Sequence, residues 1–258
     1  MRQQYTRDLS QWLWHKRSPF PGAWLAPLQL PGIRALWANG MIDSTVVNLT
    51  ALGGGLSSGV AVAGIDMSTS WPGMAISWLL TGGDGVPWYR LVLHPEMIFT
   101  GALSIGAWIN PRSPATLQKI VCAADQGGPS GQAWADPIHY ALGLESGSGI
   151  FRVLSGGVDY VITGDAVSAD EWHLIVGRFE PSTKMSIRID DGDWIEDTTS
   201  IPASIDDSSG VVLGIFDIGA NAGTSTETKL AQAWMAGYVI PDQVCKWLYN
   251  IQAPLFGR

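Results

Sequence analysis

One serine-centred string in the sequence matches a known catalytic pattern. Gly55-Leu56-Ser57-Ser58-Gly59 fits Gly-x-Ser-x-Gly, in which a strained turn presents a serine nucleophile. That chemistry needs a strand before the turn and a helix after it. Here glycines lead into the string, and residues 60–64 have the character of a strand or loop. We therefore interpret the segment as a flexible turn and expect no catalysis from it.

The residues that bind zinc in proteins show no ligand spacing in this chain. Cys122 lies in a predicted strand and Cys245 in a predicted terminal helix, far apart in the sequence. A zinc site is therefore not predicted, and we expect two buried free thiols. The chain has four histidines, and none of them shows ligand spacing: His15, His94, His139 and His173.

Composition predicts the kind of fold that holds these residues. The chain has 258 residues, of which 15% are charged, with 31 Gly and 15 Pro. Short apolar runs alternate with turn residues about every ten positions, which is typical of an all-β protein. No long helical pattern separates the strands, so antiparallel pairing is favoured.

A hairpin is the clearest local prediction. Leu174, Val176 and Arg178 alternate with residues of the opposite face, residues 180–183 form a turn, and 185–189 alternate again. We expect two central strands here, with Asp191-Gly192 supplying the positive φ of the next turn.

This hairpin and the order of the other strands carry a family resemblance. A Trp-His pair opening a strand, followed by a strand that ends in an Asp-Gly turn, resembles the laminin-G-like branch of the concanavalin A-like lectin/glucanase superfamily. The resemblance spans roughly residues 76–250 and implies a two-sheet antiparallel β-sandwich of jelly-roll type, closed by a short C-terminal helix. The other segments that resemble family strands are 102–111, 140–144, 150–153 and 232–238.

The family resemblance suggests glucanase activity, but the residues of this chain do not support it. Glucanases of this superfamily use a Glu-x-Asp strand, yet no glutamate here is followed two positions later by aspartate. Only Asp191 and Asp193 have that spacing, and they straddle a predicted turn. We expect no catalytic residue, no enzymatic activity and no obligatory cofactor.

Calcium is the one ion that the resemblance leaves open. Related proteins hold it with oxygen ligands at the rim of the sandwich. The metal site itself is left unassigned, and the candidate ligands are Asp84, Asp125, Asp136, Asp190 and Asp217.

The 13 tryptophans divide into two groups. Those in predicted strands, Trp108, Trp172 and Trp234, are expected to pack in the interior. Those in predicted turns, Trp88, Trp134 and Trp194, are candidates for stacking against a sugar ring or a protein partner.

Residues 1–35 form a predicted arm, and residues 36–258 the sandwich. Prolines break any helix in the arm, whose aromatic side chains are too apolar for a solvated tail. The arm either wraps its own sandwich or docks on a neighbouring subunit. Its candidate docking residues are Trp12, Trp14, Phe20 and Trp24.

Charge and targeting signals restrict the partners. The net charge is −8, while residues 1–34 hold five basic residues against Asp8. An acidic body argues against nucleic acid as the main partner. We see no signal-peptide h-region and no apolar run of membrane-spanning length, so we expect no cleavable export signal and no membrane partner.

Two functional hypotheses lead, and a glucanase ranks third behind them. The first is a non-enzymatic structural protein, a virion surface, decoration or tail component that docks on capsid or tail subunits through its arm and forms a homo-oligomer. The second is a carbohydrate-binding module that uses exposed aromatics, at the cell surface or outside the cell.

Overall fold

The computed structural model describes residues 26–30, 33–42, 45–48, 59–61, 65–68, 77–80, 89–92, 98–115, 118–124, 138–206, 212–218 and 228–258. Sixteen strands and one α-helix lie in these ranges. A 3-10 turn, Ala26–Gln29, precedes the strands, and a second, Ala253–Phe256, follows the helix. The elements are β1 Ile33–Ile42, β2 Thr45–Asn48, β3 Gly59–Ala61, β4 Ile65–Ser68, β5 Ser77–Leu80, β6 Tyr89–Val92, β7 Leu103–Pro111, β8 Gln118–Ala124, β9 Ile138–Glu145, β10 Ser148–Ser155, β11 Val158–Ala166, β12 His173–Glu180, β13 Lys184–Ile189, β14 Ile195–Asp197, β15 Val212–Ile218, β16 Thr228–Ala236 and α1 Asp242–Gln252.

Hydrogen bonding runs continuously through fourteen of the strands, in the order β11-β10-β9-β8-β15-β6-β3-β2-β1-β16-β7-β12-β13-β14. The two ends of this path touch each other, because β11 contacts β13 and β14. The path therefore folds into two layers: a front layer from β14 to β1 and a back layer from β11 to β6, joined through β2 and β3. Each described strand pairing is antiparallel, as predicted.

The main core lies between the layers and follows the strand alternation. Leu103, Ile105, Ala107 and Ile109 of β7 face the interior at every second position. Gly177 leaves room for Phe151 of the facing layer, because a Cβ added at Gly177 would lie 2.4 Å from a Phe151 ring carbon. Aromatic and aliphatic side chains therefore interlock across the sandwich.

A second apolar cluster covers the outside of the front layer. Trp108, Val176 and Trp234 point outward from their strands and are buried beneath α1 and the C-terminal 3-10 turn. From the helix, Cys245 and Leu248 face this surface. Trp108, Trp172 and Trp234 are buried as predicted, although Trp172 lies one residue before β12, and all three belong to this outer cluster and not to the core between the layers.

A buried polar chain fixes the end of α1 to the front layer. The Trp108 indole Nε1 donates to Gln252 Oε1 at 2.7 Å, and Gln252 Nε2 donates to Gln232 Oε1 at 2.9 Å. Each of these side chains is completely buried, so the bonds satisfy groups that burial would otherwise penalise.

The predicted hairpin is present with two corrections. It consists of β12 and β13, and Thr183 N donates to Glu180 O in its turn at 3.0 Å. The expectation of two central strands is wrong for β13, which lies next to the edge strand β14. The positive φ belongs to Asp190, at 55°, and not to Asp191-Gly192. Asp190 tolerates it because its carboxylate is tied to neighbouring groups, as described below.

The terminal helix and the thiols agree with the sequence interpretation. Pro241 caps α1 one residue before its first helical position. Cys122 and Cys245 are both buried thiols and do not form a disulfide with each other. Among the described residues, no helix combines the length and the apolar character that crossing a membrane requires.

Candidate functional site

Trp194 is the one predicted ligand-contacting aromatic that falls within the described residues. It precedes the edge strand β14, is partly buried, and packs against the cluster on the outer face of the front layer. Trp88 and Trp134 lie outside the described residues, as do the arm residues Trp12, Trp14, Phe20 and Trp24. Their roles stay predictions.

Two arginines lie beneath Trp194. Residues of β12 and β13 alternate between the core and the outer face, which puts Arg178 and Arg188 on the same outer surface. Arg178 is opposite Ser186 and Arg188 is opposite Val176, so the two arginines are diagonal neighbours. Their guanidinium carbons lie 3.3 Å and 5.9 Å from the centroid of the Trp194 ring. We call these three residues the Arg-Trp cluster.

Arg178 has partners of its own. Its Nη1 donates to Ile240 O at 2.9 Å and to Asp242 Oδ1 at 2.7 Å, at the start of α1. Its Nη2 is 3.7 Å from Glu196 Oε1, which also accepts from Lys184 Nζ at 2.7 Å. Arg178 therefore fastens the first turn of α1 to the hairpin.

Arg188 is different, because its charge is buried without compensation. Only 2% of the residue is exposed, yet none of its three side-chain nitrogens has a hydrogen-bond partner within the described part of the chain. The same holds for Arg178 Nε and Trp194 Nε1. Each of these five orphaned atoms is a donor. The cluster therefore lacks acceptors.

Cys245 of α1 does not supply the missing negative charge. Burial raises the pKa of its thiol to about 11, although the nearby Arg178 and Arg188 act to lower it. The thiol is therefore neutral near pH 7. In its immediate surroundings the cluster has three cations, Arg178, Arg188 and Lys184, against the carboxylates of Asp242 and Glu196.

A second polar group on this side of the molecule has the arrangement of a catalytic triad. Ser168 Oγ lies 3.0 Å from His173 Nε2, and His173 Nδ1 lies 2.8 Å from Asp190 Oδ2. Leu174 N donates to Asp190 Oδ1 at 2.8 Å and fixes the carboxylate. Serine, histidine and aspartate at these distances meet the first geometric condition for nucleophilic catalysis.

Glu171 and Arg258 change how this group behaves. The Ser168 hydroxyl has one proton and donates it to Glu171 Oε2 at 2.9 Å. That bond, followed by contact with Arg258, lowers the pKa of Glu171, so the carboxylate stays ionised and competes with His173 for the proton. Arg258 donates to Glu171 at 2.6 Å and to Asp190 at 3.1 Å. The group therefore clamps Arg258 to the β13–β14 turn, and Glu171 and His173 both contact the Ser168 hydroxyl.

The aspartates considered as metal ligands or glucanase residues do not come together in a site within the described residues. No group of three or more metal-ligating side chains occurs among the described residues. Asp190 is engaged in the clamp, while Asp84, Asp125 and Asp136 lie outside the described ranges. Of Asp217 the structure gives only its place in β15. Asp191 and Asp193 are exposed in the turn after β13, so they do not share a strand face.

Two antiparallel layers with a helix packed on the outside of one of them define the class of protein, a β-sandwich of the jelly-roll type. The family model described as the concanavalin A-like lectin/glucanases superfamily, of laminin G type, matches residues 83–231. The chain belongs to this superfamily, as the sequence resemblance implied. A comparison with curated proteins finds no match.

Solved structures show the same fold at low sequence identity. The binding domain of Paraclostridial Mosquitocidal Protein 1 superposes with a TM-score of 0.62 at 11% identity, covering 85% of this chain and 52% of that one. The binding domain of botulinum neurotoxin DC superposes in complexes with rat synaptotagmin II and with SialylT, with TM-scores of 0.57 and 0.59, both at 11% identity, covering 85% of this chain and 51% of those. This chain therefore spans about half the length of these binding domains.

Sequence reasoning named Trp194 but missed the arginines beneath it. The signal was available: strand alternation puts Arg178 and Arg188 on one face, and the terminal helix has an apolar side that must cover a sheet. Together these patterns indicate that charged side chains are buried where α1 lies on the hairpin.

Proposed function

We propose that this chain is a non-enzymatic binding module and that the Arg-Trp cluster is its contact surface for a carbohydrate. The single observation that carries the proposal is the surplus of donors in the cluster, where five N–H-bearing atoms of three touching side chains have no acceptor in the described structure. Sugars are rich in acceptor oxygens and stack on indole rings. A site that joins an aromatic ring to buried, unpaired donors suits a sugar once the ring moves aside.

The related solved structures are consistent with this proposal. They are binding domains, and the binding domain of botulinum neurotoxin DC forms complexes with rat synaptotagmin II and with SialylT. The clamp around Ser168 adds to the argument against an enzyme, because Glu171 holds the hydroxyl proton.

A glycan array with the intact chain tests the proposal. We expect binding that Trp194→Ala reduces at least tenfold and that Trp247→Ala leaves unchanged, since Trp247 is exposed on α1. Absence of any bound glycan, or equal loss in both variants, would contradict it.

Docking through the arm is a second candidate function. It is supported by the point at which the arm joins the sandwich. Ala26 and Leu30 are buried in the outer cluster and β1 starts at Ile33, so the base of the arm is attached to the front layer. We propose that residues 1–25, with Trp12, Trp14, Phe20 and Trp24, bind a neighbouring subunit in a larger assembly such as a virion.

Deleting residues 1–25 separates this candidate from the first. We expect the truncated chain to fold and to bind the same glycans, but to fail to co-sediment with purified particles or to form oligomers. Unchanged incorporation of the truncated chain would contradict arm docking and leave the glycan proposal intact.

A further inference from the structure

The missing partner of Arg188 narrows the class of ligand. An arginine side chain can donate five hydrogen bonds in a fixed planar fork and accept none. Burying such a charge without a partner is costly, so buried arginines are normally paired with anions. Arg188 is nearly inaccessible and has no acceptor in the described residues. In the free protein, the described residues therefore provide no acceptor for the Arg188 guanidinium.

The neighbours of Arg188 determine what the partner must be. Arg178 adds a second positive charge, and its terminal nitrogens are already used by Ile240 O, Asp242 and Glu196. Only its Nε remains, beside the Nε1 of Trp194. A single acceptor group with at least two oxygens and a negative charge fits these donors better than a neutral hydroxyl does.

Resting on the proposed function, we propose that the Arg-Trp cluster binds the carboxylate of an acidic sugar, with Arg188 as the specificity-determining residue. A carboxylate matches the guanidinium fork in a bidentate way. The sugar ring that carries it would stack on the Trp194 indole after that ring has moved off the arginines.

Trp194 is the group that must move to admit the ligand. It is partly exposed, it precedes a three-residue edge strand, and its ring lies over both guanidinium groups. Moving this ring would open a path to Arg188 on that side, while the backbones of β12 and β13 stay paired along the hairpin. The ligand then replaces the cation–π contact with a charge-assisted hydrogen bond.

Isothermal titration calorimetry with glucuronic acid and N-acetylneuraminic acid tests the proposal. We expect saturable binding of at least one acid, weakened at least tenfold when its carboxylate is methylated and at least tenfold by Arg188→Gln. Arg188→Lys keeps the charge but not the fork and should lose most of the affinity. Arg152→Gln is the matched control, since Arg152 lies on the other layer and pairs with Asp159.

Each result has a defined meaning. Equal binding by the parent and Arg188→Gln, or no saturation by either acid, overturns the proposal. Acetate binding as tightly as both sugars overturns the sugar as the source of the carboxylate, and so does tighter binding of an acidic peptide. If neutral glycans still bind through Trp194 while the acids do not, this inference fails and the proposed function stands. A thermal melt of each variant shows that the fold is retained.

Discussion

The guanidinium carbon of Arg178 lies 3.3 Å from the centroid of the Trp194 ring, with the buried Arg188 beside it. One partly buried aromatic side chain therefore covers two positive charges on the outer face of the front layer. Arg178 is anchored at the start of α1, whereas Arg188 has no described partner. This difference between two adjacent arginines gives the first prediction.

Replacing each arginine by methionine should change stability in opposite directions. Arg188→Met removes an unpaired buried charge, so we expect the free protein to be unchanged or stabilised by up to about 4 kcal/mol. Arg178→Met leaves the carbonyl of Ile240 without its donor, and we expect a loss of about 1–3 kcal/mol. Urea unfolding of both variants measures the difference. A large destabilisation by Arg188→Met would mean that an internal acceptor already pairs with it.

Removing the indole of Trp194 should cost a moderate amount of stability. Trp194→Ala loses the cation–π contact with Arg178, worth about 0.5–2 kcal/mol, and opens both arginines to water. Trp247→Ala is the comparison, because Trp247 projects from α1 into solvent and should matter by less than about 0.5 kcal/mol. Chemical denaturation distinguishes the two, and equal effects would show that Trp194 does not cap the cluster.

Two glycines that face aromatic rings should tolerate no side chain. A Cβ at Gly106 would lie 2.2 Å from a Trp234 ring carbon, and one at Gly177 would lie 2.4 Å from Phe151. We expect Gly106→Ala and Gly177→Ala each to cost about 1–3 kcal/mol through overpacking. Gly101→Ala is the control, since nothing lies within 4 Å of its added Cβ. Melting temperatures that fall equally in all three variants would contradict this packing.

Stability should fall at alkaline pH in a way that depends on Cys245. Burial raises the pKa of this thiol to about 11, above the ordinary thiol value of 9.0. Between those values the unfolded chain releases the proton while the folded chain keeps it, so stability present below pH 9 is lost as the pH rises toward 11. Cys245→Ala should show a shallower decline in urea midpoints from pH 8 to 10.5. A thiol that reacts rapidly with an alkylating reagent at pH 8 would contradict its burial.

The clamp around Ser168 should prove structural. Glu171 accepts a hydrogen bond from the Ser168 hydroxyl. We therefore expect the parent protein and Ser168→Ala to hydrolyse p-nitrophenyl acetate at the same background rate. Arg258→Ala should loosen the C-terminus, visible as faster amide exchange near Phe256, which stacks on Trp108. A rate that depends on both Ser168 and His173 would instead indicate a working triad.

The sequence predicted the strands well, but it did not predict which elements pack on each face of the sheet layers. Alternation in residues 174–179 and 185–189 predicted the hairpin, because side-chain direction in a strand is local. It did not show that Trp108 packs beneath α1, since that contact joins residues more than a hundred positions apart. The turn after β13 was misassigned for a related reason. Asp190 adopts positive φ because its carboxylate reaches Leu174 N and His173, which are distant in the sequence.

The most direct test of the central claim follows individual side-chain N–H groups during ligand binding. In a two-dimensional ¹H–¹⁵N NMR spectrum, Trp194→Phe and Trp247→Phe identify the two indole signals, and Arg188→Lys identifies the Arg188 Nε–H. On addition of glucuronic acid, or of a glycan found on the array, we predict saturable shifts of the Trp194 and Arg188 signals while the Trp247 signal stays in place. A ligand that binds and leaves the Trp194 and Arg188 signals unmoved would contradict the assignment of the Arg-Trp cluster as the contact surface.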